Sequence, residues 1–591
     1  MQKRIVALDK DLCKPKKCSY RCMKVCPKNR SSEDCIKINE DTAFPVFSEE
    51  VCMGCGLCVH ACDKAGFKAI TIVNLPRELQ ELPIHRFGPN EFTLYRLPAP
   101  VVNEVVGLVG PNGVGKTTAL RILSGELKPN LGEFGRQISL AGLVKTFRGT
   151  ELQAYFEKLE KSDIKVSYKL QRVDQIPAAY KGKVSKLLEK IDERKIINDL
   201  SEAVTLEEII DKKINEISGG ELQKVAVAAC LAKDADVYYI DEPTSFLDVF
   251  QRLAVAKAIR KFCAGRSALV VDHDLATLDF LADRVHIFYG VPGAYGIVSK
   301  PYGIRVGINT FLEGYIKEDN VRIRSEPITF FTSIADRKTS TGILVSFSSI
   351  MKKFDRFSLE INDGDIRTKE VLAVMGANAL GKTTFAKILA GEIEQDKGSI
   401  DKKIKISYKP QYIKTDFAGT VKELLSTAAD TSSDAYKAEI VRPLGIERLM
   451  EKSVSDLSGG ELQRVAIALC LSQQSDLYLL DEPSAFLDVE QRLAVAKMIN
   501  RVAEVNEKSA MVIDHDLLFL SQVGSRAMLF EGVSGVEGRA SETSIKDAFD
   551  RFLKQVNVTF RKDPQTGRPR ANKLDSQLDR EQKEAEKYFY V

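Results

Sequence analysis

No apolar run in this sequence approaches the ~18 residues that crossing a bilayer takes, and its start, MQKRIVALDKDLC, lacks the apolar core of a signal peptide. Both absences speak against a membrane or secreted protein and leave a soluble cytoplasmic one as the expectation. An excess of charge of one sign is also missing. With 86 Lys and Arg against 82 Asp and Glu, a net charge of +4, the whole molecule is no polyelectrolyte built to coat nucleic acid. The exception is local: residues 1 to 30 hold ten Lys or Arg against two Asp. Histidine is scarce, five in all. What is present is a globular composition, 44% apolar and 28% charged over 591 residues, enough for three or four domains with cores of their own.

Cysteine is concentrated at one end. Nine of the twelve fall in the first 62 residues, and in a chain with no secretory features metal or cluster ligation explains them better than disulfides. Cys52, Cys55, Cys58 and Cys62 form C-x2-C-x2-C-x3-C, the bacterial ferredoxin run in which three thiolates hold one cluster and the fourth reaches another. Cys13, Cys18, Cys22 and Cys26, followed by Pro27, form a looser version of it. Two [4Fe-4S] clusters with exchanged fourth ligands are expected, Cys26 serving the Cys52/Cys55/Cys58 cluster and Cys62 the Cys13/Cys18/Cys22 cluster. Asp63 stands where the pattern usually has Pro. A zinc ribbon would instead put two C-x2-C pairs on separate knuckles. Cys35 is left over and is read as a buried thiol or a neighbour rather than a ligand.

The rest of the chain repeats itself. ISGGELQKVAVAACLA at 217 to 232 returns as LSGGELQRVAIALCLS at 457 to 472, and Glu242 returns as Glu482 at the same offset of 240. Two copies of one domain follow. Apolar runs such as VVGLVG, DVYYID and SALVVD alternate with helical patterns, which argues for a parallel sheet covered on both faces.

Each copy carries nucleotide chemistry. Gly110, Asn112, Gly113, Gly115, Lys116, Thr117 and Thr118 in the first copy, and Gly376, Asn378, Gly381, Lys382, Thr383 and Thr384 in the second, lie in G-x-x-x-x-G-K-T-T runs. In such a loop backbone N–H groups curl around phosphates, the Lys reaches the outer ones and the first Thr meets Mg2+. Ala379 replaces the middle glycine in the second copy. Downstream, each apolar strand ends on an acidic pair, Asp241-Glu242 and Asp481-Glu482. The first carboxylate suits Mg2+, and the second suits orienting or deprotonating the attacking water.

With SGGELQ between loop and acidic pair, both halves resemble the ABC ATPase nucleotide-binding domain. That resemblance implies several further roles. Gln171 and Gln411 are Q-loop glutamines that approach Mg2+ together with Thr117, Asp241, Thr383 and Asp481. Ser218, Gly219, Gly220 and Glu221, and Ser458, Gly459, Gly460 and Glu461, are signature motifs that bind the γ-phosphate held by the opposite domain. Residues 246–248 and 486–488 are D-loops, and His273 and His515 are switch histidines. The adenine-stacking aromatic is Phe87 or Phe92 in one half and Phe354 or Phe357 in the other. A head-to-tail pairing would close Lys116 with Ser458 and Lys382 with Ser218.

One difference between the halves can be counted: Lys116 to Gln171 spans 55 residues, Lys382 to Gln411 only 29. The extra piece, about 140–165, carries Leu152, Phe156 and Leu159 at helical spacing and is expected to be a partner-contact arm. Residues 291–325, rich in Gly and turn residues, read as a linker between the halves whose content suits a hinge that also touches phosphate. Residues 557–573, with five Lys or Arg against one Asp, read as a basic hinge suited to phosphate. The expected domains are 1–75, iron-sulfur; 76–290 and 326–545, nucleotide-binding; 291–325, hinge; and 546–591, basic tail.

Taken together, CKPKKC, YGVPGAYG and FRKDPQTGRPRANKL with the two cysteine runs and twin ABC halves resemble the ABC-E subfamily, also called the RNase L inhibitor family, over essentially the whole chain. The fold class implied is α/β, twin P-loop ABC domains preceded by a small ferredoxin-like α+β iron-sulfur domain. The activity implied is ATP-driven ribosome recycling. Closure would move the iron-sulfur domain, split the ribosome, and leave the factor on the small subunit and its ribosomal RNA, in cooperation with a termination or release factor. The chain would act as a monomer with an intramolecular ABC dimer and no membrane contact. The rival reading is an ATP-coupled iron-sulfur electron-transfer protein.

Overall fold

The apolar pentapeptides VVGLV and VLAVM, with no polar face to give to water, become fully buried central strands Val105–Val109 and Val371–Met375. A computed structural model describes residues 4–74, 81–135, 138–330, 342–401, 404–411, 417–573 and 575–590. The domain boundary expected at 75/76 falls outside them. The chain divides into two units: Met1–Pro243 with Val255–His273 and Leu281–Ile328, and Thr244–Ala254 with Asp274–Phe280 and Thr329–Val591.

In the first unit, strands Val166–Lys169, Val237–Asp241, Ser267–Val271, Val105–Val109 and Arg284–Val291 lie side by side and parallel. The second unit repeats this with Ile406–Lys409, Leu477–Asp481, Ser509–Ile513, Val371–Met375 and Arg526–Val533. The order places the ends of the phosphate-loop strand and the acidic-pair strand close together, with one strand between them. Ligands of open parallel sheets bind at such strand ends.

Residues 4–74 form a small α+β lobe of the first unit. Arg4–Leu8 pairs antiparallel with Ile70–Asn74, and Ile36–Ile38 with Pro45–Phe47. Its core mixes Val6, Leu8, Ile36, Phe47 and Ile70 with buried cysteines. The lobe is tied to the first sheet through Asn90, 2% exposed. The Asn90 amide donates to Val6 O at 2.9 Å and Phe47 O at 3.1 Å, and its Oδ1 accepts from Phe47 N at 2.7 Å. Arg86 adds an ion pair with Glu49 at 2.5 Å.

Three segments differ from the sequence reading. Residues 291–325, read as a hinge, fold as part of the first unit. Tyr295–Val298 pairs with both Arg284–Val291 and Thr93–Tyr95, and helix Ile304–Glu313 buries Ile304, Ile308, Phe311 and Leu312. The glycines there serve close packing: a Cβ on Gly296 would sit 1.9 Å from Val114 O.

The insertion folds as two helices, Leu140–Thr146 and Glu151–Glu160. The apolar face of the second turns inward, so it is not offered to a partner. Leu152, Tyr155 and Phe156 are buried in the core of the first unit, and Tyr155 Oη donates to Leu123 O at 2.6 Å. Phe156→Ala is expected to destabilise this unit by about 3–5 kcal/mol, read as a lowered denaturation midpoint. An unchanged midpoint would make the arm a free projection.

The C-terminal segment is ordered as helix Ile545–Val556, strands Phe560–Lys562 and Pro569–Ala571, and helix Gln577–Glu584. Two of the five basic side chains of residues 557–573 are not available to phosphate. Arg568 Nη2 meets Asp279 Oδ2 at 2.5 Å with both side chains fully buried, and Arg570 Nη2 donates to Asp279 Oδ1 at 3.0 Å. Asp279→Ala would leave two buried guanidinium groups without that carboxylate. A loss of about 3–5 kcal/mol is expected, seen as faster proteolysis of residues 557–590.

Candidate nucleotide and cluster sites

The first phosphate loop leaves its strand at Gly110 and turns through Gly113 (φ +77°) and Gly115 (φ +92°) into helix Lys116–Leu123. The second copies it. Ala379 takes the left-handed φ of +59° where the first has Gly113, at a cost of about 1–2 kcal/mol, so the turn survives the substitution. Lys116 Nζ donates to Gly110 O and Pro111 O, both at 2.7 Å, and Lys382 Nζ to Gly376 O at 2.9 Å and Ala377 O at 2.5 Å. Both lysines are 6% exposed. Burial pulls the Lys382 ammonium down to about 8. The Asn378 N–H donates to Asp248 Oδ2 at 2.9 Å within the second unit. Thr118 and Thr384 sit in the first turns of the helices.

Residues far apart in sequence meet here. Thr117 Oγ1 donates to Asp241 Oδ2 at 2.7 Å, and Thr383 Oγ1 to Asp481 Oδ2 at 2.7 Å. The other oxygen of each aspartate, Oδ1, is buried with no hydrogen-bond partner among the described residues. Burial, then the neighbouring Glu242, pushes Asp241 up to about 6. An orphaned, desolvated carboxylate oxygen beside a threonine hydroxyl fits a hard divalent cation.

The glutamates are approached identically in both copies. Gln171 Nε2 donates to Glu242 Oε1 at 2.7 Å, and Gln411 Nε2 to Glu482 Oε1 at 2.7 Å. His273 Nε2 lies 3.5 Å from Glu242 Oε1, and His515 Nε2 3.6 Å from Glu482 Oε1. Burial, then Asp481 and Asp514, pushes Glu482 up to about 7. Burial, then Lys382 and Arg252, holds His515 well below its usual range.

The signature serines are N-caps of helices Gly219–Ala232 and Gly459–Ser472, each in a capping box. Glu221 and Glu461 are occupied by that box: their carboxylates accept from Ser218 N at 2.7 Å and Ser458 N at 2.9 Å. They shape the helix start on which Gly219, Gly220, Gly459 and Gly460 lie. Of the candidate aromatics, Phe92 and Phe357 pack against Gly115 and Gly381, while Phe87 and Phe354 are 48% and 45% exposed. Two further side chains in each copy, Lys169 with Gln223 and Lys409 with Gln463, reach the glutamate backbone. Motif reading passed over them, although YKLQ and YKPQ share the same offset of 240.

In the small lobe the cysteines separate into two cavities. One is lined by Cys13, Cys18, Cys22 and Cys62, the other by Cys26, Cys52, Cys55 and Cys58 together with Cys35. Burial and the nearby Cys18, Cys22 and Cys62 push the Cys13 thiol up to about 12. Burial and Cys52 do the same to Cys58. Four thiols lining one cavity are a donor set that fits an iron-sulfur cluster. Cys35 is 2% exposed beside Cys26 and Cys52. Among the described residues no helix is long and apolar enough to cross a membrane.

The chain is similar to known proteins over its full length. A family described as "ABC transporter" matches residues 101–245 and 359–485, and one described as "Possible Fer4-like domain in RNase L inhibitor" matches residues 4–34. The whole chain is 49% identical to an uncharacterized ABC transporter ATP-binding protein of Methanocaldococcus jannaschii, covering 98% of it. It is 42% identical to the translation initiation factor RLI1 of Saccharomyces cerevisiae, again over the whole chain and 98% of the relative. A structure of ribosome-bound archaeal Pelota and ABCE1 matches with a TM-score of 0.94 at 48% identity over the full length of both chains. The archaeal recycling factor aABCE1, solved with the ribosomal stalk protein aP1, matches with a TM-score of 0.83 at 50% identity, over 87% of this chain and 100% of that one.

Proposed function

The chain belongs to the ABC transporter E family of ATPases with an iron-sulfur lobe, and on that premise we propose that it splits ribosomes into subunits, driven by ATP, and stays on the small subunit. The observation that carries this reading is one chain joining a cysteine-lined lobe directly to a nucleotide-binding sheet through Asn90 and Arg86. Similarity to a recycling factor and to a ribosome-bound relative supports it. A termination or release factor is the expected co-partner.

In each ATP site the lysine, Lys116 or Lys382, neutralises the outer phosphates. Thr117, Asp241 and Gln171, and Thr383, Asp481 and Gln411, would hold Mg2+, which when bound polarises the phosphoryl oxygens. Glu242 and Glu482 orient the attacking water and accept its proton, with Gln171 and Gln411 fixing the carboxylates. Phe87 and Phe354 offer exposed ring faces for adenine. ATP favours closure of the two cassettes, and hydrolysis releases it. In the lobe, Cys13, Cys18, Cys22 and Cys62 would hold one [4Fe-4S] cluster and Cys26, Cys52, Cys55 and Cys58 a second. When bound, these cross-link about 70 residues that have too small an apolar core to be stiff alone. A stiff lobe transmits the motion of the cassette to which it is tied, and its displacement requires the Asn90 contacts to break.

The test is a sucrose gradient of ribosomes with anaerobically purified protein, a release factor, and ATP or a non-hydrolysable analogue. Subunits are expected in place of whole ribosomes, with the protein on the small subunit under the analogue. Intact ribosomes and no association would overturn the proposal.

A further inference from the structure

Lys169 and Lys409 end their strands only 3% and 2% exposed, although a buried ammonium is costly unless its hydrogen bonds are supplied. Here they are supplied by the backbone of the acidic pair. Lys169 Nζ donates to Asp241 O at 2.7 Å and Glu242 O at 3.1 Å. Lys409 Nζ donates to Asp481 O at 2.7 Å and Glu482 O at 3.3 Å. A second donor reaches each glutamate carbonyl from the signature helix: Gln223 Nε2 bonds Glu242 O, and Gln463 Nε2 bonds Glu482 O at 2.6 Å. Both glutamines are 1% exposed. The glutamate N–H groups are tied from the other side, to Val271 O at 2.9 Å and Ile513 O at 2.8 Å.

The glutamates held in this way are in the left-handed region, Glu242 at φ +47° and Glu482 at φ +48°. For an L-residue with a Cβ that conformation costs about 1–2 kcal/mol, and it persists only where the surroundings over-determine it. In this twisted pose each carboxylate meets its Q-loop glutamine and its histidine. Nothing in the packing of a parallel sheet asks for a lysine beneath it, yet both copies have one on the same two carbonyls.

We propose that Lys169 and Lys409 are positioning residues for ATP hydrolysis, each clamping, with Gln223 or Gln463, the carbonyl of the water-activating glutamate so that its carboxylate keeps the strained pose. The clamp rests on the reading of Glu242 and Glu482 as those carboxylates. It also links two motifs. Gln223 is five residues beyond Ser218 on one helix, so a displacement of the signature helix is felt at the glutamate carbonyl.

Methionine preserves the unbranched stem of lysine and removes its charge, so the test is Lys169→Met with Lys409→Met in full-length, cluster-loaded protein, beside Glu242→Gln with Glu482→Gln. A carboxylate misplaced by about 1 Å costs about a hundredfold in turnover. The lysine variant is therefore expected to lose kcat by at least about thirtyfold while equilibrium ATP binding stays within about threefold. Turnover within threefold of the parent, or ATP affinity lost in step with kcat, overturns the clamp. If the lysine variant does not fold, Gln223→Met with Gln463→Met decides: the same loss confined to kcat supports the clamp, and unchanged turnover overturns it. Full turnover in the glutamate variant would instead sink the reading of the glutamates, a separable failure.

Discussion

Glu242→Gln combined with Glu482→Gln lowers steady-state ATP turnover by more than about a hundredfold, the usual worth of a positioned general base, and leaves ATP binding intact. Glutamine keeps the shape of the side chain and an oxygen at the Oε1 position that accepts from Gln171 or Gln411 at 2.7 Å, so the pose should persist. What it cannot do is take a proton from water. Glu482 is suited to that task because burial and the adjacent Asp481 raise it to about 7, near the pH at which a base works best. The groups that bind phosphate, Lys116 and Lys382, are untouched. Phosphate release together with equilibrium binding of labelled ATP separates the two effects. Turnover within threefold of the parent would mean that the water is activated elsewhere.

How much of this was legible depended on how local the physical constraint is. The phosphate loops could be read because their chemistry demands fixed residue types within nine positions. The acidic pairs could be read because an apolar run ending in two carboxylates recurs at an offset of 240. The meeting of Thr117 with Asp241, 124 residues apart, was legible only because motif chemistry sends both side chains to one Mg2+. The basic tail misled because Asp279 lies 291 residues from Arg570, and composition does not show a partner so distant. Residues 291–325 misled for another reason. Glycine marks flexible turns and close backbone approach alike, and at Gly296 only the structure shows that it is the second. The apolar stripe at Leu152 and Phe156 was correctly read as one face of a helix, but periodicity does not say which surface covers it. Lys169 and Lys409 were passed over because a charged residue at a strand end is ordinarily solvated.

Replacing one cysteine in each cavity separates the two expected clusters by arithmetic. Cys22→Ser and Cys58→Ser are each expected to remove about half of the iron, and the pair nearly all of it, because their side chains line different cavities. The decisive variant is Cys62→Ser. In sequence Cys62 belongs to the run of Cys52, Cys55 and Cys58, but in the folded lobe it lines the cavity of Cys13, Cys18 and Cys22. Exchanged ligation therefore predicts that Cys62→Ser adds no further iron loss to Cys22→Ser and full further loss to Cys58→Ser. Ligation run by run predicts the reverse. ATP binding should survive in all of these variants, since no side chain of either ATP site comes from residues 4–74. Iron and sulfide assays with the visible thiolate-to-iron absorbance give the readout. Unchanged iron in Cys22→Ser and Cys58→Ser alike would remove the cysteines of both cavities from consideration as cluster ligands.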